Sequence, residues 1–466
     1  MPEPLATLSG LVQRAWLVGG AVRDRALGRE TADFDVVLDE PPAGVARALG
    51  RAADAFSFEL SREFGHWRVV ARDRAWQVDL TPLDGGSIEE DLARRDLTIN
   101  AIARPLAEDA WIDPFGGLAD LRARRLRAVS ERSFRGDPLR VLRLARIACE
   151  LGFEIDAGTL SLARSSAAAL GSVAAERVFA ELRRVICAPS AVQGLRLMER
   201  VGATAVVLPE LEALRGVQQS RFHHLDVLEH TLLTLQETIS LVDSPARLAG
   251  SRAAALAAVL AQPLADELTR GQALRLGALM HDIAKPQTRA VTPEGRITFM
   301  SHDREGADLC ASILGRLRAS ERLIAHVGAL TRHHLRLGFL VRDMPLDRRA
   351  VYAYLRATAP VGVDVTVLSV ADRLATRGDN AEVAIARHLE LAEGMVVEAL
   401  DWLADPPRPP VRGDELARAL SVTPGPLIGR LLADLEEASF AGEIAGPEEA
   451  IEHARTLLAA GPGASR

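Results

Sequence analysis

The chain is predicted to be α+β, a small mixed-sheet head followed by a mostly α-helical neck, body, third domain and tail. Three observations carry this. Strand-like runs cluster near the N-terminus, at Leu17-Val18, Phe34 to Leu38, His66 to Ala71 and Trp76 to Thr81. From Ile155 onward apolar residues recur at helical spacing, as in Val178 to Cys187 and Val192 to Arg200. The composition, rich in Ala, Leu and Arg and only 4% aromatic, favours helix over its 466 residues, a length that allows about three domains or more. The expected divisions are 1–127, 128–215, 216–400 and 401–466.

The stretch Trp16 to Leu38 organises the rest. Leu17-Val18 reads as a buried strand, Gly19-Gly20 as a tight turn, Ala21 to Leu27 as a helix closed by Gly28, and Phe34 to Leu38 as a second strand. Asp33 and Asp35 sit two apart, so on a strand both carboxylates project the same way and can hold a divalent ion. Gly19 and Gly20 bring bare backbone to a helix start, where N–H groups favour an anion, and Arg23 adds a cation, so that a triphosphate fits between them. The run Gly-Gly-x-x-Arg-Asp, with Asp-x-Asp ten residues after the Arg, resembles the head of the tRNA nucleotidyltransferase and poly(A) polymerase family. The resemblance implies that Asp33 and Asp35 hold Mg2+ while an RNA 3′ hydroxyl attacks the α-phosphate of a nucleotide.

A net charge of −7 argues against a general nucleic-acid binder. Locally the balance reverses: nine arginines against two acids lie between Leu121 and Arg146, a candidate phosphate-tracking face. Cys149, Cys187 and Cys310 have neither disulfide-framework nor zinc-ribbon spacing. With no signal-peptide pattern and no long apolar run, a cytoplasmic protein without membrane contact is expected. Lys285 is the only lysine among 56 basic residues, a hint that its site wants a compact ammonium.

Along the chain, Pro41 to Ala53 reads as a helix, and the strands His66 to Ala71 and Trp76 to Thr81 as a hairpin turning at Asp73-Arg74. Asp79, on the second of these, becomes a third carboxylate if its strand lies beside Asp33 and Asp35; the family has an acidic residue here. Asp96 and Asn100, four apart, are predicted to share a helix face, where acid and amide recognise a sugar hydroxyl while Arg94 and Arg95 reach phosphate. Arg-Arg-Asp-x-x-x-Asn-Ala resembles the family motif that contacts the incoming ribose. In Gly136-Asp-Pro-Leu-Arg-Val-Leu-Arg143, the residues Asp137, Arg140 and Arg143 recur every three and are predicted to form one ridge. A carboxylate accepting from an amino group beside a guanidinium donating to a ring nitrogen matches the edge that cytosine and adenine share. The ridge resembles the family's Glu-Asp-x-x-Arg template motif, with Gly136 in place of Glu.

A second constellation follows. His230, His281-Asp282 and Asp372 have the order of the HD phosphohydrolase superfamily, and most of the eleven histidines fall between His223 and His334. Imidazole and carboxylate together suit Mn, Fe, Co, Ni or Zn. The resemblance implies a second metal position at His302 and at His333 or its neighbour His334, of which His333 is the one assigned. Lys285 completes His-Asp-x-x-Lys, one turn on, where an ammonium could hold a phosphate oxygen. A metal-dependent phosphohydrolase acting on cyclic phosphate or phosphomonoester ends is therefore expected.

Pro406 to Pro410 reads as a stiff linker, and the segments at Arg412 and Pro424 open two helices. The expected activity is addition of C to the tRNA 3′ end from CTP, with addition of A from ATP left open by the sequence. Poly(A) polymerase and a CC-only enzyme are the alternatives within the class, and a phosphohydrolase with an RNA-binding, non-catalytic head is the alternative outside it; DNA is not an expected partner. Full CCA-adding family members carry a long loop after the third carboxylate strand, whereas only Pro82 to Glu89 stands here, as in CC-adding specialists.

Overall fold

A computed structural model describes residues 3 to 460, which divide into two compact units meeting between Val207 and Leu208. The first unit holds a six-stranded mixed sheet of β1 (Ala15–Val18), β2 (Asp33–Leu38), β3 (Ala55–Ser61), β4 (His66–Ala71), β5 (Gln77–Pro82) and β6 (Ala103–Pro105), in the order β3-β4-β5-β2-β1-β6. β2 and β5 run parallel and the other neighbours antiparallel. The anticipated strands are present; β3 and β6, at the two edges, are additions to the sequence reading.

Register explains which face carries chemistry. Phe34, Val36, Val69, Val78 and Leu80 are buried on one side, where α2 (Pro42–Ala52) packs Val45, Ala46 and Leu49. Each such side chain contributes on the order of 2 kcal/mol. Gly50 allows the close approach, since a Cβ there would lie 3.2 Å from Ser57 Cβ and Ala55 O. The alternate residues, Asp33, Asp35, Gln77, Asp79 and Arg68, face the other way.

One local expectation changes. Gly19 and Gly20 do not form a separate turn; they are the first residues of α1 (Gly19–Ala26), which springs directly from β1. Beyond the sheet, α3 (Ile88–Ala93) is followed by a 3-10 turn at Thr98–Asn100, and the neck helix α4 (Arg140–Leu151) packs with α5 (Ala175–Cys187).

The second unit is helical apart from short two-stranded ribbons. Its site is framed by α6 (Val227–Asp243), α7 (Arg270–Met280), α8 (His302–Arg316), α9 (Glu321–His333) and α10 (Gly362–Ala375). A capping box of Thr269 and Gln272 fixes the start of α7. The last three helices, α11 (Gly413–Leu420), α12 (Pro426–Phe440) and α13 (Pro447–Ala460), share a small apolar core around Leu416, Leu431 and Leu435. No described helix is long and apolar enough to cross a membrane, and Cys149 and Cys310 are buried free thiols.

Candidate active site and candidate metal centre

In the first unit a cleft of about 560 Å³ gathers Gly19, Gly20, Arg23, Asp33, Asp35, Arg94, Arg95, Asp96, Asn100, Asp137, Arg140 and Arg143. Residues far apart in the chain thus meet on one surface. Asp35 stands opposite Asp79 in the parallel register of β2 and β5. Asp79 is absent from the cleft wall and is gripped by Arg68 through Nε to Oδ1 at 2.6 Å and Nη2 to Oδ2 at 2.7 Å. A carboxylate so neutralised is a weaker metal ligand than its neighbours.

Asp35 lies at the cleft floor, reached by water but crowded by protein. That crowding pushes its carboxyl above the usual range, against the pull of Arg95 and Arg143 and with the added repulsion of Asp79 and Asp33. A divalent cation relieves this penalty, so Asp33 and Asp35 fit the magnesium their spacing suggests. Gly19 is required at its place: its φ is +69°, and a Cβ would lie 3.0 Å from Asp35 Oδ2 and 3.2 Å from an Arg95 guanidinium nitrogen.

Several side chains meet other partners than the sequence suggested. Arg23 is buried, donating to both Asp24 oxygens at 2.9 and 3.0 Å and to Asn100 Oδ1 at 3.1 Å. Asp96 and Asn100 do not share a helix face, because α3 ends at Ala93. The 3-10 turn brings them together instead, Asn100 Nδ2 donating to Asp96 Oδ1 at 3.0 Å. Arg94 contacts Asp84, and Arg95 pairs with Asp91 at 3.0 Å. Asp137 precedes α4 rather than lying within it; it is held by Arg177 of α5 at 2.8 Å. Arg140 donates to the Ser133 carbonyl at 2.8 Å.

Arg143 Nε sits 3.0 Å from Asp96 Oδ2, out of line for a hydrogen bond, so their attraction is between charges. Burial pushes the Asp96 carboxyl up, but Arg143, the Asn100 amide, the Leu97 N–H and Arg140 outweigh it and bring it down to about 2. The expected arginine face is not uniform either. Arg127 pairs with Asp120, and Arg146 with Glu150 and Glu181, while Arg122, Arg124, Arg132 and Arg135 are exposed.

In the second unit, His281 and Asp282 fall at the very end of α7, so both side chains turn toward one centre. His281 Nε2 is 3.2 Å and His230 Nε2 3.6 Å from Asp282 Oδ2, and His230 Nε2 is 3.1 Å from Asp372 Oδ1. On the other side of the same carboxylate, His302 Nε2 and His334 Nε2 lie 3.3 and 3.8 Å from Asp282 Oδ1. The donor atoms form two metal-sized groups, His230-His281-Asp282 and Asp282-His302-His334, sharing Asp282. His333 is not among them: it accepts from Arg336 Nε at 2.8 Å, so the donor that this pair offers to the group is that of His334.

The donor chemistry fits divalent transition metal. His281, His302 and His334 each turn Nδ1 to the carbonyl three residues upstream, Ala278, Phe299 and Thr331, at 2.8, 2.6 and 2.7 Å. With Nδ1–H donated, each Nε2 presents a lone pair. These three Nε2 atoms and that of His230 are buried without a hydrogen-bond partner. Four such orphans gathered around one carboxylate have a metal-sized explanation. Asp282 is held well below the usual carboxylate range, burial being outweighed by His281 and Lys285. Lys285, buried, places Nζ 2.6 Å from Asp282 Oδ2 and 2.7 Å from Gln219 Oε1.

A six-stranded mixed sheet with a glycine-opened helix beside paired strand carboxylates defines the nucleotidyltransferase class. The comparisons agree. Residues 15–83 and 71–127 match the poly(A) polymerase head domain, 152–214 the "Probable RNA and SrmB- binding site of polymerase A", and 252–377 the HD domain. The chain is 37% identical to an A-adding tRNA nucleotidyltransferase of Deinococcus radiodurans, over 94% of each chain. It is 35% identical to a CC-adding tRNA nucleotidyltransferase of Thermus thermophilus, over 94% of this chain and 92% of that one. The Thermotoga maritima CCA-adding enzyme complexed with tRNA superposes with a TM-score of 0.63 at 19% identity, covering 97% of this chain and 94% of that chain. The chain belongs to the tRNA nucleotidyltransferase and poly(A) polymerase family and carries an HD domain.

Proposed function

We propose that the protein is a template-independent tRNA nucleotidyltransferase that adds C residues to the tRNA 3′ end, and that its HD centre is a metal-dependent phosphohydrolase. The observation that carries the first part is the convergence of Asp33, Asp35, Asp96, Asn100, Asp137, Arg140 and Arg143 on one cleft. Magnesium held by Asp33 and Asp35 would supply charge stabilisation for attack of the 3′ hydroxyl on the α-phosphate. Gly19, Gly20, Arg94 and Arg95 line the polyphosphate path, Arg23 and Asn100 fix one another beside the ribose, and Asp79 tunes Asp35 from the next strand. Asp137, with Arg140 and Arg143, offers the acceptor-plus-donor edge that selects C or A over G and U.

The choice of C rests on a short connection. Only Leu83 to Ser87 separate β5 from α3, and they are anchored by Leu83 N to Leu38 O, Gly86 N to Glu90 Oε2 and Asp84 to Arg94. The similarity to an A-adding relative favours a second reading, addition of A alone. Labelled CTP and ATP, given separately to tRNAs lacking one, two or three terminal nucleotides, decide. CMP incorporated on the shorter two, with no AMP on tRNA ending in CC, supports C addition. AMP on CC ends alone establishes the second reading, long A tails a poly(A) polymerase, and absence of pyrophosphate release defeats the class.

For the HD centre the carrying observation is the set of unpartnered Nε2 atoms around Asp282. Bound divalent ions there would polarise a phosphate oxygen and lower the pKa of water; Lys285 is placed to hold a second phosphate oxygen, and Asp372 to complete the ligand set. Opening of 2′,3′-cyclic phosphate ends to monoesters, or release of phosphate from monoester ends, after loading with Mn, Fe, Co, Ni or Zn supports this. Inertness of the loaded protein overturns it.

A further inference from the structure

The sheet of the first unit is covered fully on one face and only in part on the other. α2 buries Val69, Val78, Leu80 and Trp67 on one face; on the other, Ile88 and Leu92 cover Trp16, Val18 and Val37 at the β1 end, and the surface stays open across β4 and β3. Register lays out that open face row by row. Asp35 faces Asp79, Asp79 faces Arg68, and Arg68 faces Phe58, so one line crosses four strands from the candidate metal ligand to the sheet edge. The next row runs Asp33, Gln77, Val70, Phe56.

Phe56 and Phe58 are 53% and 45% exposed, Leu60 at the adjoining bulge 45%, and Phe64 in the hairpin 59%. These are four of eleven large apolar side chains exposed among the described residues, gathered on one hairpin. Exposed aromatics on a solvent-facing edge strand normally invite aggregation. Cations stand among them, each in an exposed ion pair that water and salt screen: the Arg72 guanidinium lies 4.9 Å from the Phe56 ring centre and 2.9 Å from Asp54, and Arg62, almost fully exposed, lies 3.4 Å from Glu59. His66, at the start of β4 and 5.8 Å from the Phe64 ring, lines the cleft itself, so the aromatic strip and the cleft are continuous.

We propose that this strip is a stacking platform for the unpaired 3′-terminal nucleotides of the RNA being extended. The inference rests on the nucleotidyltransferase reading of the cleft. Aromatic faces take any base, and neighbouring arginines take the backbone charge, which together describe single-strand rather than duplex recognition. The distance suits it. Three strand spacings of about 4.8 Å place Phe58 roughly 14 Å from Asp35, within reach of the unpaired nucleotides next to the growing end.

The test uses the full chain with a tRNA lacking its terminal nucleotides. The pair F56S/F58S is at exposed positions and should retain the wild-type circular dichroism and melting profile. Loss of stacking is expected to raise the KM for RNA roughly ten- to a hundred-fold, with the KM for the nucleoside triphosphate unchanged. F56Y/F58Y, which keeps the rings, should restore the RNA KM. Unchanged RNA KM, an equal rise in both KM values, or a change in oligomeric state with RNA binding intact would each overturn the platform, the last marking a self-association face. If the wild-type chain adds no nucleotide, the cleft reading fails. Fluorescence anisotropy with a labelled single-stranded RNA, wild type against F56S/F58S, then still tests the platform: weaker binding supports it, and equal binding overturns it.

Discussion

Arg68 grips Asp79 through two hydrogen bonds of 2.6 and 2.7 Å on the strand directly beside Asp35. The three acids of β2 and β5 are therefore unequal: Asp33 and Asp35 line the cleft and can take a cation, and Asp79, outside the cleft wall, already has one. Replacing Asp35 by Asn is expected to lower single-turnover nucleotide addition by about a thousandfold or more, and Asp79 by Asn by only about tenfold. Equal losses would show that Asp79 leaves Arg68 to share the ion.

Asp35→Asn should also be no less stable than wild type in metal-free buffer. Its carboxyl is raised in the folded state, so the folded protein holds that proton more tightly than the unfolded chain. The group's contribution is best below the ordinary aspartate value and is lost as pH rises through the raised folded value. Melting temperatures of the two proteins are expected to diverge in favour of Asp35→Asn as pH increases from about 4 to 8.

Asp96 behaves in the opposite sense. Lowered from 3.8 to about 2, it contributes stability present above about pH 4 and lost as pH falls through about 2. The shift corresponds to about 2 kcal/mol. Urea unfolding should find Asp96→Asn less stable by that order at pH 6, with the gap closing toward pH 2; a gap independent of pH would assign the loss to packing rather than charge.

In the second unit, His334→Ala is expected to lower the bound transition metal from two ions per chain to one, while His333→Ala leaves it unchanged. Elemental analysis of the purified proteins reads this directly. Nucleotide addition should survive His334→Ala, because the cleft of the first unit contains none of these residues.

Much of this arrangement could be read from the chain. Asp33 and Asp35 are adjacent on one strand face by period alone, and the His281-Asp282 pair needed only a helix end to converge. The choice between His333 and His334 was also available. Leu323, Val327 and Leu330 form the buried stripe of α9, and His334 continues it while His333 does not. The strand β3 left a signal too, since Phe56, Phe58 and Leu60 alternate, but an edge strand with its apolar side in solvent reads like a loop. β6 is three residues long and exists only because β1 pairs with it. Arg177 and Arg68 were invisible as partners, since ion pairs across elements leave no spacing in the sequence.

The imidazoles of the second unit are steered by carbonyl groups of Ala278, Phe299 and Thr331, none of which uses its side chain to do so. Phe299→Ala and Thr331→Ala would leave these carbonyl contacts in place, because it is the main chain there that dictates where the three rings look. The orientation of this centre is thus insulated from drift in neighbouring side chains and vulnerable chiefly to changes that bend the helix ends themselves.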